Sequence, residues 1–226
     1  FRLKRYQLVL RPAILTAFLG YALVAAALLI DIGQPYRIWH PIIFWNGRSV
    51  MFEVAWCVML YLMVLFFEFL PAVFERWRLR FPFILIRGTW ELPLKIFKAL
   101  TIPLVFLGVI LSTLHQSSLG SLFLILPHRL HELWYSFGLP LFFFVSSVAV
   151  GLGMVILEAT ISARVYGRRV EADILSGLGK AVGWVLGIYL IIRLADVIGR
   201  GAVGSAFNGS LKGNMFLIEI IGGVIL

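Results

Sequence analysis

Long apolar runs, separated by short clusters of charge or by Gly, Pro and Asn, set the pattern of this 226-residue chain. An α-helix needs about 20 apolar residues to cross about 30 Å of hydrocarbon. Six windows qualify: Pro12 to Ile30, Ser49 to Phe74, Ile96 to His115, Trp134 to Ile161, Leu178 to Ile198, and the run from Asn214 onward. The run Leu119 to Leu126 (LGSLFLIL) amounts to only about 12 Å of helix. It reads as a short re-entrant or interfacial segment, tolerated at that depth only where it is buried in protein or lines a cavity. The expected fold is therefore all-α, a multi-pass transmembrane helical bundle of six spans plus that short segment, forming a single membrane domain over 1–226. Phe1 is not a methionine and Leu226 lies inside an apolar run, so a fragment of a longer subunit is expected.

Composition strengthens this reading. The chain is 61% hydrophobic and 14% charged, against roughly 45–50% and 25% for soluble domains. A soluble chain of this length buries only about 70–75% of its surface, which excludes an ordinary soluble enzyme. The net charge of +9 sits in clusters between apolar runs, which points to a membrane and not to nucleic acid. Cys57 is the single cysteine, so no disulfide framework, redox pair or cysteine-ligated iron–sulfur cluster belongs to this chain. Any such cluster must sit in a partner.

Alternating the six spans divides the Lys and Arg residues between two sides. Arg2, Lys4, Arg5, Arg11, Arg76, Arg78, Arg80, Arg87, Lys95, Lys98, Arg164, Arg168, Arg169 and Lys180 share one side, and Arg37, Arg48, Arg129, Arg200 and Lys212 the other. The first side is expected to be cytoplasmic. All four histidines, His40, His115, His128 and His131, fall on the less basic outer side with Trp39, Trp45 and Trp134. The tryptophans there read as interfacial anchors, and the one-sided histidines place proton or redox chemistry near the outer face.

A charge at the bilayer centre costs about 2.5–3.5 kcal/mol on insertion scales, so ionisable residues inside the windows need a reason. Glu53, Glu68, Glu158, Arg193, Asp196 and Glu219 all lie inside the windows. Glu53, Cys57, Tyr61 and Glu68 fall on one helix face, with Glu68 about 22 Å beyond Glu53. Arg193 and Asp196, spaced i, i+3, are expected to pair. Glu53, Arg193, Asp196 and Glu219 form an outer group and Glu68 and Glu158 an inner one, a distribution that suits a proton route, with snorkelling helix ends as the bland alternative for the inner pair. The polar run Ser112 to Ser121 (STLHQSSLGS) offers hydroxyls, an amide and an imidazole beside apolar walls, as a quinone carbonyl or polar substrate would need. Gly179, Gly183 and Gly187 read as a close helix contact. The GLGK stretch lacks the spacing of a phosphate loop, and the Asn208-Gly209-Ser210 sequon is set aside.

In RPAILTAFLGY (from Arg11), DIGQPYRIWHP (from Asp31), SVMFEVAWCVMLY (from Ser49), FEFLPAVFER (from Phe67), TLHQSSLGSLFLI (from Thr113) and LHELWYS (from Leu130), the chain resembles the NrfD/polysulfide-reductase membrane subunits. Within them it is most similar to the cytochrome b subunit of hydrogenase-2-type uptake nickel–iron hydrogenases. VILEATI, IIRLADVI and FLIEII extend the likeness more weakly. The resemblance implies a subunit without haem or iron–sulfur cluster of its own, in the bacterial inner membrane with the N-terminal end of the chain cytoplasmic. It would exchange electrons between a periplasmic ferredoxin-like iron–sulfur subunit, itself bound to hydrogenase-type catalytic subunits, and exchangeable menaquinone. By the same likeness, His40, His115, Gln116 and Ser117 would lie at the quinone pocket, with no metal site. Glu53 would be the foremost proton-transfer residue, followed by Glu68, Glu158, Arg193, Asp196 and Glu219. The iron–sulfur partner is expected on the face formed by residues 31–48, 127–132 and 200–212.

The family also serves polysulfide and sulfite-linked reductases and alternative complex III, so the catalytic partner stays open. A dihaem cytochrome b would need paired histidines at membrane depth, and an ion-coupled transporter an internal inverted repeat. The sequence shows neither, and a spectrum of the purified complex or a vesicle flux assay separates them.

Overall fold

The computed structural model describes residues 7–31, 33–80, 91–167 and 172–225, and all regular structure among them is helical. The elements are α1 (Gln7–Asp31), α2 (His40–Ile43), α3 (Val50–Arg80), α4 (Glu91–Leu124), α5 (Leu139–Tyr166), α6 (Ala172–Gly199), α7 (Val203–Ala206) and α8 (Leu211–Ile218), which continues as a π-helical stretch, Glu219–Ile225. Short 3₁₀ turns lie at Pro35–Arg37 and Pro127–Arg129.

Among the described residues, five helices are long and apolar enough to cross a membrane: Pro12–Asp31, Val50–Phe74, Ala99–Leu124, Leu139–Val165 and Ala172–Gly199. Each turns large apolar side chains outward, with Leu23, Ile30, Met63, Phe106, Val150, Trp184 and Ile191 all exposed. Such a helix is stable only where its outward side chains meet hydrocarbon. The chain is an integral membrane protein.

Five spans stand where six were expected. The run from Asn214 onward divides into the eight-residue α8 and the π-helical Glu219–Ile225, so no sixth long helix forms within the described residues. The re-entrant segment is also corrected. Leu119 to Leu124 is the last part of α4, which continues unbroken through Pro103 and the whole STLHQSSLGS run. Serine, threonine and glutamine do not stop a helix whose backbone has no other partner in the membrane, and Thr113 and Ser121 donate to the carbonyls of Val109 and Ser117 one turn back. His115 thus sits nine residues before the end of α4, about 13 Å inside it, not at a helix end.

The chain folds as two compact units, residues 1–115 and 116–226. In the first, α1 packs on α3 through Phe18 against Phe66 and Phe69, ring centroids 6.0 Å apart in both pairs. The α2 turn is tied to α3 by Trp56, whose Nε1 donates to the Pro41 carbonyl at 2.8 Å and whose ring meets Trp45.

In the second unit α5 pairs with α6. The start of α5 presses on Gly120, where a Cβ would lie 2.6 Å from the Leu139 carbonyl oxygen, so only glycine permits that approach. Gly167 ends α5 in the left-handed conformation (φ 62°), its N–H bonding the Ala163 carbonyl. Leu133, Val197, Ala202, Ala206, Phe216 and Ile220 form the buried core, with Leu133 fully enclosed. A Cβ added at Gly179, Gly183 or Gly187 meets nothing within 4 Å. Among the described residues no close contact is made there, and α6 turns its buried residues Ile174, Arg193 and Val197 inward.

Candidate functional site

In the first unit, polar groups converge from three apolar helices. Tyr21 on α1 stands edge-on to Tyr61 on α3 at 4.5 Å between centroids, and to His115 on α4 at 5.9 Å. The Tyr61 and Ser112 hydroxyls share a hydrogen bond. His115 is 6% exposed, and its Nδ1 has no hydrogen-bond partner among the described residues. A buried imidazole with an idle nitrogen is rare, because burying an unpaired polar group costs free energy, and it suits a site completed by another molecule.

Along α3 the face foreseen from spacing holds together. Cys57, one turn along from Glu53, is buried, and Tyr61, two turns before Glu68, is half-buried. The Glu68 carboxylate approaches Gly108, where a Cβ would stand 3.8 Å from its Oε1. Glu53 is exposed on the first turn of α3 and has an interacting partner of its own. His40 lies instead in α2, against the rings of Trp39 and Phe44. Gln116 and Ser117 follow His115 on α4, both half-buried, and Ser117 contributes its carbonyl to Ser121.

In the second unit the connection from α4 to α5 is laced to α6, α7 and α8. Ser136 Oγ donates to Asp196 Oδ1 at 2.5 Å and accepts from the Gly138 N–H at 3.0 Å. Arg200 binds Asp196 Oδ2 through Nε and Nη2, at 3.0 and 2.6 Å, and reaches the Glu132 carbonyl through Nη1. Ser205 donates to the Glu132 carboxylate, and Trp134 Nε1 donates to Glu219 Oε2 at 2.6 Å. The expected Arg193–Asp196 pair does not form. Asp196 is held by Arg200, one turn further along the same face, and by Ser136. Arg193 is turned inward, where Nη2 donates to the Leu133 carbonyl at 3.2 Å and the guanidinium lies over Phe142 and Phe216 at 5.0 and 5.7 Å. Arg193 and Glu219 line a partly open cavity of about 240 Å³ with Trp134, Tyr189 and Phe142. Glu158, on α5, is half-buried, and its Oε2 has no partner among the described residues. Among the described residues no three His, Cys, Asp or Glu side chains are grouped to hold a metal ion.

The spacing arguments overlooked Tyr21, Ser136, Tyr189 and Arg200. Tyr21 and Tyr189 carried a signal, a hydroxyl inside an otherwise apolar window. Ser136 carried none, since it matters only because Asp196, 60 residues away, comes to meet it.

Five long apolar helices that carry half-buried tyrosines and carboxylates, a buried histidine and a buried arginine define a polytopic, all-helical membrane protein. The family model described as polysulphide reductase, NrfD, matches residues 2–226, and the chain belongs to that family. A protein of Nitratidesulfovibrio vulgaris (strain Hildenborough) is 43% identical, the match covering 100% of this chain and 57% of that protein. The probable Ni/Fe-hydrogenase 2 b-type cytochrome subunit of Escherichia coli K12 is 32% identical over 96% of this chain and 54% of its own length. The menaquinone reductase integral membrane subunit of N. vulgaris is 31% identical over 83% of this chain and 45% of its own length. The chain thus spans about half the length of the curated relatives it matches. No solved structure matches it.

Proposed function

We propose that this chain is the quinone-interacting membrane subunit of a periplasm-facing oxidoreductase complex of the bacterial inner membrane, an uptake nickel–iron hydrogenase before other settings. It passes electrons between a ferredoxin-like iron–sulfur partner and menaquinone, with coupled proton transfer. The observation that carries this reading is the Tyr21, Tyr61, Ser112 and His115 cluster, with His115 Nδ1 buried and unpartnered among the described residues. Hydroxyls and an imidazole among aromatic rings suit the carbonyl and ring of a quinone, and one relative is named a menaquinone reductase subunit. A second reading, a menaquinone-reductase-type complex, follows from that same relative. Which catalytic and iron–sulfur subunits copurify separates the two.

In this reading His115 binds a quinone oxygen, with Gln116, Ser117 and His40 contributing to the pocket, while Tyr21 and Tyr61 bound the ring. Two electrons from the iron–sulfur partner and two protons convert quinone to quinol. Glu53 holds and delivers a proton at its carboxyl, and Glu68, Glu158, Arg193, Asp196 and Glu219 belong to the wider proton path. The N-terminal end of the chain is cytoplasmic, and the less basic connections, 31–48, 127–132 and 200–212, face the iron–sulfur partner.

Glu53→Gln keeps shape and hydrogen bonding while deleting the titration. Quinone turnover of the assembled complex should fall by about 10²-fold, the scale of a general acid–base group, while reduction of a soluble artificial acceptor is unchanged. Unimpaired quinone turnover in that variant would refute the role of Glu53.

A further inference from the structure

The cavity of the second unit takes no part in the ligand binding proposed above, which rests on the His115 cluster of the first. Its buried cation is the unusual feature. Arg193 is 2% exposed, lines the cavity and has no hydrogen-bond partner at Nε among the described residues. Among the described residues no carboxylate pairs with it. Asp196 is held by Arg200 and Ser136, and Glu219 accepts from Trp134. A buried guanidinium with an idle donor calls for an acceptor.

Two further observations select the acceptor. Phe142, Phe143, Tyr189 and Trp134 supply flat apolar walls, and Glu219 stands on the same lining. That carboxylate disfavours a phosphate or carboxylate headgroup, since like charges in a desolvated site repel, so a neutral carbonyl oxygen fits better. At about 240 Å³ the cavity lies below the range of roughly 300–1,000 Å³ that encloses a whole drug-sized ligand. It accommodates a ring whose tail leaves by the open side. Arg193 stands six residues before the end of α6, about 9 Å along the helix, within reach of a ligand entering from the membrane.

We propose that this cavity is a second quinone-type site, distinct from the His115 cluster, in which Arg193 donates to a carbonyl oxygen of a planar aromatic ring stacked among Phe142, Phe143 and Tyr189. Only the choice of ligand class rests on the quinone reading above.

The test uses the assembled complex in lipid nanodiscs, labelled with an azido-naphthoquinone photoprobe and mapped by peptide mass spectrometry. Two labelled regions are expected, one around Tyr61 and His115 and one on α5 and α6 around Phe142 and Tyr189. Ser146→Phe fills the cavity without breaking a bond between helices, because Ser146 Oγ donates only to the Phe143 carbonyl of its own helix. It should reduce the α5–α6 label by about tenfold or more and leave the first region unchanged. Arg193→Leu should do the same, so one well-assembled variant suffices. Label confined to the first region, or α5–α6 label that survives both variants, overturns the second site and leaves the first reading standing. Label in neither region overturns both. Displacement of the α5–α6 label by excess phospholipid but not by unlabelled menadione assigns the cavity to lipid and also overturns the proposal.

Discussion

Ser136 is the most economical point at which to break the lacing of the α4–α5 connection. It is 2% exposed, and one hydroxyl serves two partners, donating to Asp196 at 2.5 Å and accepting from the Gly138 N–H at 3.0 Å. Ser136→Ala removes a hydrogen bond to a charged acceptor, worth about 1.5–3 kcal/mol, and strands an N–H that had a partner. Asp196 keeps Arg200, which places the combined loss at about 2–3 kcal/mol. Local opening of the segment should then rise about 30- to 150-fold. Hydrogen exchange of the purified protein reads this directly, because the Gly138 amide is one of the groups released. Peptides covering 130–138 should exchange faster by that factor, while peptides of α1 stay unchanged. In an Asp196→Asn background the acceptor is neutral and the bond weaker, so the same substitution should cost about half as much. Exchange at Gly138 unchanged within about twofold would refute the argument that this hydroxyl holds the loop.

Gly120→Ala puts a Cβ within 2.6 Å of the Leu139 oxygen and the Pro140 backbone, so the thermal midpoint should fall by several degrees. Gly151→Ala, in open space on α5, should leave the midpoint unchanged or slightly raised, and equal midpoints for the two variants would overturn the packing account. Trp134→Phe keeps the ring against Phe216 but deletes the N–H held by Glu219. It should loosen the π-helical Glu219–Ile225 by about 1.5–3 kcal/mol, visible as faster cleavage there in limited proteolysis with the rest of the pattern retained.

Membrane insertion and most span boundaries were legible in the sequence because an apolar run of about 20 residues has few other stable outcomes. So was the face shared by Glu53, Cys57, Tyr61 and Glu68, since helical spacing is a local property. One predicted element, the short re-entrant segment, failed for a physical reason. The polar STLHQSSLGS run looked like a span end, yet hydroxyls and amides bond back to their own helix, so polarity alone does not terminate one in the membrane. The sixth span expected from Asn214 is not confirmed, the described residues there forming the short α8 and the π-helical Glu219–Ile225. Partner choice was the least legible feature. Arg193 and Asp196 are three residues apart and seemed paired, but Asp196 is taken by Arg200 and by Ser136 across 60 residues. Sequence by itself determined what must lie in the membrane and which charges need a partner there. Only the tertiary structure decided which partner each one has, because that depends on which distant backbone and side-chain groups packing brings within 3 Å.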